Sequence, residues 1–193
     1  MNLAETASTF NEMLVTDAAL SAAVDPSERL SLLDKKLQDV LSMLCDIRAR
    51  YIFDTRFHDE RKRGPLPKEG LGQLMVEAQQ EAFRDILADD GYHPLFWAAK
   101  LHFSETSVPF YNFPYTFGYL FAGGIYDRAK KEGASFAKAY KGLLQDTGSM
   151  TTEAVAKQHL GVDLTKPRFW KDAVDRAVLD VDTFIRLARA SRR

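Results

Sequence analysis

Apolar residues return every three or four positions almost from end to end of this chain, and that spacing limits the fold more than any other feature. Between residues 27 and about 62, Leu30, Leu33, Leu37, Val40, Leu41, Leu44, Ile47 and Tyr51 trace one stripe on a long amphipathic helix. Asp25 or Ser27 can cap it, with Pro26 near its first turn. Gly64, Pro65 and Pro67 break the chain before a helix at about 68–87, which Asp89, Asp90 and Gly91 end. Shorter helices are expected at about 94–103, 114–131, 134–145 and 151–160. A last one, at about 167–190, carries Trp170, Val174, Ala177, Val181, Phe184 and Leu187 on one face. The opening segment, 5–20, is helical in pattern as well. No segment alternates with period two between turn signals, and no block recurs at a solenoid's spacing. The expectation is an all-α fold, an irregular multi-helix bundle, with residues 1–193 as a single helical domain.

Hydrophobic residues at 46% and charged residues at 27% are ordinary for a globular protein and exclude disorder. Lys plus Arg number 26 and Asp plus Glu 27, so a net charge of -1 gives no general attraction to nucleic acid or an anionic membrane. Two short basic groups, Arg61 to Arg63 and Arg189 with Arg192 and Arg193, read as solvated helix ends. Residues 106–126 carry no charge and approach the ~20 residues that span a bilayer. Their prolines, glycines, Asn112 and aromatic rather than aliphatic character argue against spanning. Cys45 is the single cysteine, which excludes an internal disulfide and a thiolate zinc cluster and fits a reducing compartment. The first ten residues show neither the basic nor the apolar region of a secretory signal, so the expected location is cytoplasmic.

Two groups of residues can carry chemistry. In the run AETASTFNE, Glu5 and Glu12 are seven apart and return to nearly the same helix face after two turns. They suit either a metal and a metal ligand's partner, or a solvated first turn in which Glu and Ser or Thr are favoured anyway. The second group is His102 with the aromatic segment 108–126. Tyr111, Tyr115 and Tyr119 lie four apart, as do Phe113, Phe117 and Phe121, so a helix presents two ridges in two environments. Phenols can line a cleft and donate to a developing oxyanion while phenylalanines anchor the helix; composition by itself favours a plain aromatic core helix with wet-edged tyrosines. Pro114 marks the helix start and leaves Tyr111 in a loop. His58, His93 and His159 have no second histidine three or four residues away, so no HExxH pair is present.

The runs AETASTFNEMLVTD, DPSERLSLLDKKL and HFSETSVPFYNFPYTFGYLFAGGIY, in that order, resemble the C-terminal part of the oligoendopeptidase F family, zinc metallopeptidases of the thimet oligopeptidase clan. The resemblance covers nearly the whole chain. It implies an all-α catalytic-domain portion acting on short peptides. Zinc in such enzymes is held by two HExxH histidines and by a glutamate to which Glu5 corresponds, with Glu12 as the acidic residue two turns on. It further implies that His102, Tyr111 and Tyr115 bind the substrate backbone and stabilise the tetrahedral intermediate, with Tyr119 as a further substrate-binding residue. Because HExxH is absent, the chain is expected to be a C-terminal fragment, a truncated reading frame or one piece of a split enzyme, inactive alone. A non-catalytic helical module that binds peptide or oligomerises is the competing expectation, with self-association through the surface left by the missing lobe.

Overall fold

The structure is a computed structural model that describes residues 1–84 and 86–191. Its regular elements are helical, and no strand forms among the described residues. In chain order the α-helices are α1 (Thr6–Ala22), α2 (Pro26–Leu41), α3 (Ile47–Arg61), α4 (Lys68–Phe83), α5 (Phe113–Glu132), α6 (Phe136–Asp146), α7 (Thr152–Leu160) and α8 (Pro167–Ala190). Among the described residues no helix is long and apolar enough to cross a membrane.

Caps account for several of these boundaries. The Asp25 carboxylate accepts the Glu28 amide at 3.0 Å, which satisfies one of the orphan donors at the start of α2. The Thr151 hydroxyl does the same for Ala154 at 3.2 Å, and α7 ends on Gly161 in the left-handed region at φ 65°. α4 stops at Phe83, short of the expected end, because Arg84 turns to φ 53°. Asp85, within the expected span, lies outside the described residues, as do Arg192 and Arg193 of the basic C-terminal group. The segment expected to be helical at 94–103 instead forms two 3-10 turns, Phe96–Ala99 and Leu101–Phe103.

Two compact units make up the chain. The first comprises residues 1–40 and 117–193, the second residues 41–116. The core of the first gathers Phe10 from α1, Phe121 and Ile125 from α5, Leu143 from α6 and Val155 from α7. Two glycines of α5 permit its packing there. A Cβ at Gly124 would overlap the Phe169 ring at 2.2 Å, and one at Gly118 would sit 2.9 Å from the Glu5 Cβ. In α8 the buried residues are Ala173 and Ala177, whereas Val174 and Val181, expected on the inner face, are 38% and 39% exposed.

The second unit is built on α3 and α4, whose Phe53, Met75 and Ala78 form a core that Phe96, Trp97 and Phe103 close. Residues Ser42–Asp46 form a π-helical turn before α3. A π turn takes more residues than an α turn, and the apolar phase read upstream reaches the buried Ile47 but not Tyr51. Tyr51, expected on the buried stripe, is 45% exposed, while Ala49, Arg50, Phe53 and Asp54 are buried.

Candidate functional site

Glu5 occupies the N-cap of α1 in the first unit, at φ -93° and ψ 7°, rather than a position inside the helix. The Ser8 hydroxyl bonds to the Glu5 carboxylate at 3.1 Å and lies 3.0 Å from its backbone carbonyl, holding the acid against its own first turn. The glycine at position 118 lets this backbone approach α5: the Glu5 carbonyl carbon would be 3.1 Å from any Cβ there. Glu12, two turns on, is exposed. Tyr119 belongs to the same unit. Burial pushes its phenol up, against the pull of Arg176 and Lys36.

In the second unit three of the expected residues meet. The His102 imidazole Nε2 is 3.0 Å from the Tyr115 hydroxyl. The His102 and Tyr111 rings lie parallel, 7° apart in orientation with centroids at 6.5 Å. Tyr115 stands edge-on to both, 5.6 Å from each at 86° and 87°. His102 sits on the 3-10 turn Leu101–Phe103, which is pinned by Phe103 packing edge-on against Phe53 at 5.0 Å.

The elements carrying the tyrosines are held by residues that sequence reasoning did not single out. Asn112 is fully buried, and its side-chain amide donates to the Asp54 carboxylate of α3 at 2.7 Å. Its carbonyl accepts the Tyr115 amide at 3.2 Å, at the start of α5. Thr116 donates from its hydroxyl to the Met43 carbonyl at 2.5 Å, inside the π turn whose irregular bonding leaves carbonyls to be satisfied from outside. Phe110 adopts φ 61°, a conformation that strains a residue with a side chain, and its ring lies 4.6 Å from that of His58. A glycine inside an aromatic helix was a legible signal for Gly118. No signal marked Asp54, whose place on the buried face depends on the π turn upstream.

Chemically, a histidine bonded to a phenol in a group of stacked rings can orient a carbonyl. With Nε2 donating to the phenol oxygen, the Tyr115 hydroxyl presents its own proton to an oxygen acceptor, the geometry an oxyanion needs. A metal is another matter. Among the described residues no three His, Cys, Asp or Glu side chains gather as a metal ion requires. Catalytic zinc takes three protein ligands, so Glu5 and its neighbours do not amount to a zinc site by themselves.

Comparison with known proteins adds a family. The model of peptidase family M3 matches residues 1–176. The chain is also similar to the oligopeptidase PepF of Bacillus subtilis (strain 168), at 28% identity over 166 residues that make up 86% of this chain and 24% of that protein. It thus spans about a quarter of the length of the curated relative it matches. No solved structure matches it.

Proposed function

The chain belongs to peptidase family M3, and from that premise we propose that it is the C-terminal catalytic-domain portion of a zinc-dependent oligoendopeptidase that hydrolyses short peptides in the cytoplasm. In this reading Glu5 is the third zinc ligand and Glu12 a partner of the ligand set. His102, Tyr111 and Tyr115 form the wall that binds the peptide backbone and the oxyanion, with Tyr119 a further substrate contact. The observation that carries the reading is the meeting of His102, Tyr111 and Tyr115 in one ring cluster, since phenol and imidazole protons suit a carbonyl oxygen gaining charge. A single carboxylate supplies neither the ligand count nor the general base of metal-assisted hydrolysis. The two histidines and the base therefore come from an HExxH segment outside this sequence.

A quenched fluorescent oligopeptide tests this directly. The 193-residue chain with added zinc should not hydrolyse it, and fusion to an HExxH-bearing segment of a family M3 enzyme should restore activity. In the fused enzyme Glu5→Gln should weaken zinc binding. Tyr115→Phe should leave zinc bound and lower kcat by about 10²–10³, the typical cost of one oxyanion donor. Robust, chelator-sensitive turnover by the chain alone would sink the fragment reading, and a fused enzyme indifferent to both substitutions would sink the residue assignments.

A second reading, a non-catalytic helical module that binds peptide or a second copy of itself, draws support from α8. Val174, Val178, Val181 and Ile185 recur at steps of four, three and four and are 38%, 51%, 39% and 39% exposed. An apolar stripe of this kind favours self-association. Sedimentation at high concentration should show a species larger than the monomer, and Val178→Glu should abolish it; a monomer throughout removes this part of the proposal.

A further inference from the structure

α3 presents Asp54 and His58 one turn apart on the same face. Asp54 is 4% exposed and follows Phe53 of the apolar core. Withdrawing a carboxylate into such surroundings is costly, and apolar replacements of buried charges are often neutral or stabilising. Its hydrogen-bond partner among the described residues is a neutral amide, that of Asn112 at 2.7 Å, and no cation among them bonds to it. An acid kept there under those terms calls for a role other than stability.

The loop it holds supplies one. Phe110, Tyr111 and Asn112 are consecutive, and two of the three are fastened to α3, Phe110 by ring contact with His58 and Asn112 by its bond to Asp54. The Asn112 backbone N–H donates to the Phe110 carbonyl at 2.7 Å, and the strained φ of Phe110 persists only where its surroundings over-determine it. Tyr111 lies between the two fastened residues. Tyr115 follows one turn later, its amide on the Asn112 carbonyl. We infer that Asp54 is a positioning residue of the candidate site: through the Asn112 amide it sets the register of residues 110–112, and so holds the Tyr111 and Tyr115 rings against His102. This rests on the proposed reading of those three residues as the substrate-binding wall.

The test uses the 193-residue chain and through-space proton contacts between the His102 ring and the two tyrosine rings, measured by NMR, with helical content checked by circular dichroism. Asp54→Leu should lose these contacts, and Asp54→Asn, which keeps an acceptor in place, should retain them. Ala78→Gly, which weakens the same core without touching the loop, should retain them too. Should Asp54→Leu fail to fold, the exchange serves instead. Asn112→Asp sets two carboxylates together and should lose the contacts, and the double variant Asp54→Asn with Asn112→Asp restores donor and acceptor in swapped positions and should regain them. Contacts that survive Asp54→Leu, that vanish equally in Ala78→Gly, or that the double variant does not regain overturn the inference. In the fused peptidase Asp54→Leu should lower kcat/KM, with Asp54→Asn rescuing it. Lost contacts with unchanged kcat/KM would instead overturn the assignment of the ring cluster to substrate while leaving Asp54 its positioning role.

Discussion

Asp17 on α1 and Asp54 on α3 are both aspartates drawn out of water, and burial alone would raise the pKa of each. Their partners send them in opposite directions. In the first unit, burial of Asp17 is outweighed by the Tyr126 hydroxyl, which donates to it, and by the Lys36 ammonium at 2.9 Å, so the carboxyl is held below its usual value. Lys36 also reaches Asp180 at 2.8 Å, and the network joins α1, α2, α5 and α8. In the second unit, burial pushes Asp54 above its usual value, because one Asn112 amide and the nearby His58 do not compensate. The second unit joins α3 to α4 by paired charge as well, Arg56 and Arg48 to Glu81, so the difference lies in the buried acid: Asp17 is tied into an ion-pair network between helices, whereas Asp54 stays poorly compensated and fastens a loop.

The comparison can be broken most forcefully at Lys36. Lys36→Met leaves Asp17 and Asp180 without their shared cation. A fully buried pair broken this way costs ~3–5 kcal/mol; with side chains 17% to 26% exposed, about 2 kcal/mol is expected. Each unit carries one tryptophan, Trp97 in the second and Trp170 in the first, so single-tryptophan variants followed by urea unfolding report each unit. The Trp170 transition should move and the Trp97 transition should move less; equal shifts would erase the distinction between the units.

Gly118→Ala comes next. It forces a Cβ to within 2.9 Å of Glu5, and overpacking of this kind costs typically ~1–3 kcal/mol, offset in part by the better helix propensity of alanine. The Trp170 transition should fall by about 1 kcal/mol, and in the fused peptidase zinc affinity should fall with it. An unaltered transition would show that the α1 start shifts freely.

Acid should produce the smallest effect, with opposite signs. Asp17, with a folded pKa below the ordinary 3.8, contributes stability that is present above 3.8 and lost as pH falls from there through the lowered folded value. Asp54, with a folded pKa above 3.8, carries a penalty that is absent below 3.8 and grows as pH rises through the raised value. On acidification from neutral pH, unit two should therefore gain before unit one loses. Asp54→Asn should flatten the gain and stabilise the second unit at pH 7 by about 1 kcal/mol. The same slope in wild type and Asp54→Asn would place the titration elsewhere.

Much of the helix layout was legible because the forces that set it are local. The α7 cap at Thr151, the α2 cap at Asp25 and the start of α8 at Pro167 fall where side-chain caps and proline put them, each a local property of a few residues. The grouping of His102 with Tyr111 and Tyr115 was also within reach, because a histidine close upstream of evenly spaced tyrosines is a pattern along one stretch of chain. The supports beneath it were not: Asn112 meets Asp54 and Thr116 meets Met43 across long separations that no periodicity encodes.

What the sequence determined by itself, then, is that this chain forms helices, where most of them start and stop, and which family motifs they carry, since hydrogen bonds from one turn to the next and the spacing of apolar residues are short-range properties. Spacing also placed Leu33, Val40, Ile47 and Ala177 on faces that are buried, and tertiary structure decided where those faces depart from the spacing. A π turn at Ser42–Asp46 moved the buried phase away from Tyr51 and toward Phe53 and Asp54, and the tight seat of α8 favoured Ala173 and Ala177 over the larger valines beside them. It decided as well that Asp17 met cations and Asp54 met an amide, because the sign of a buried acid's pKa shift depends on partners brought from elsewhere in the chain.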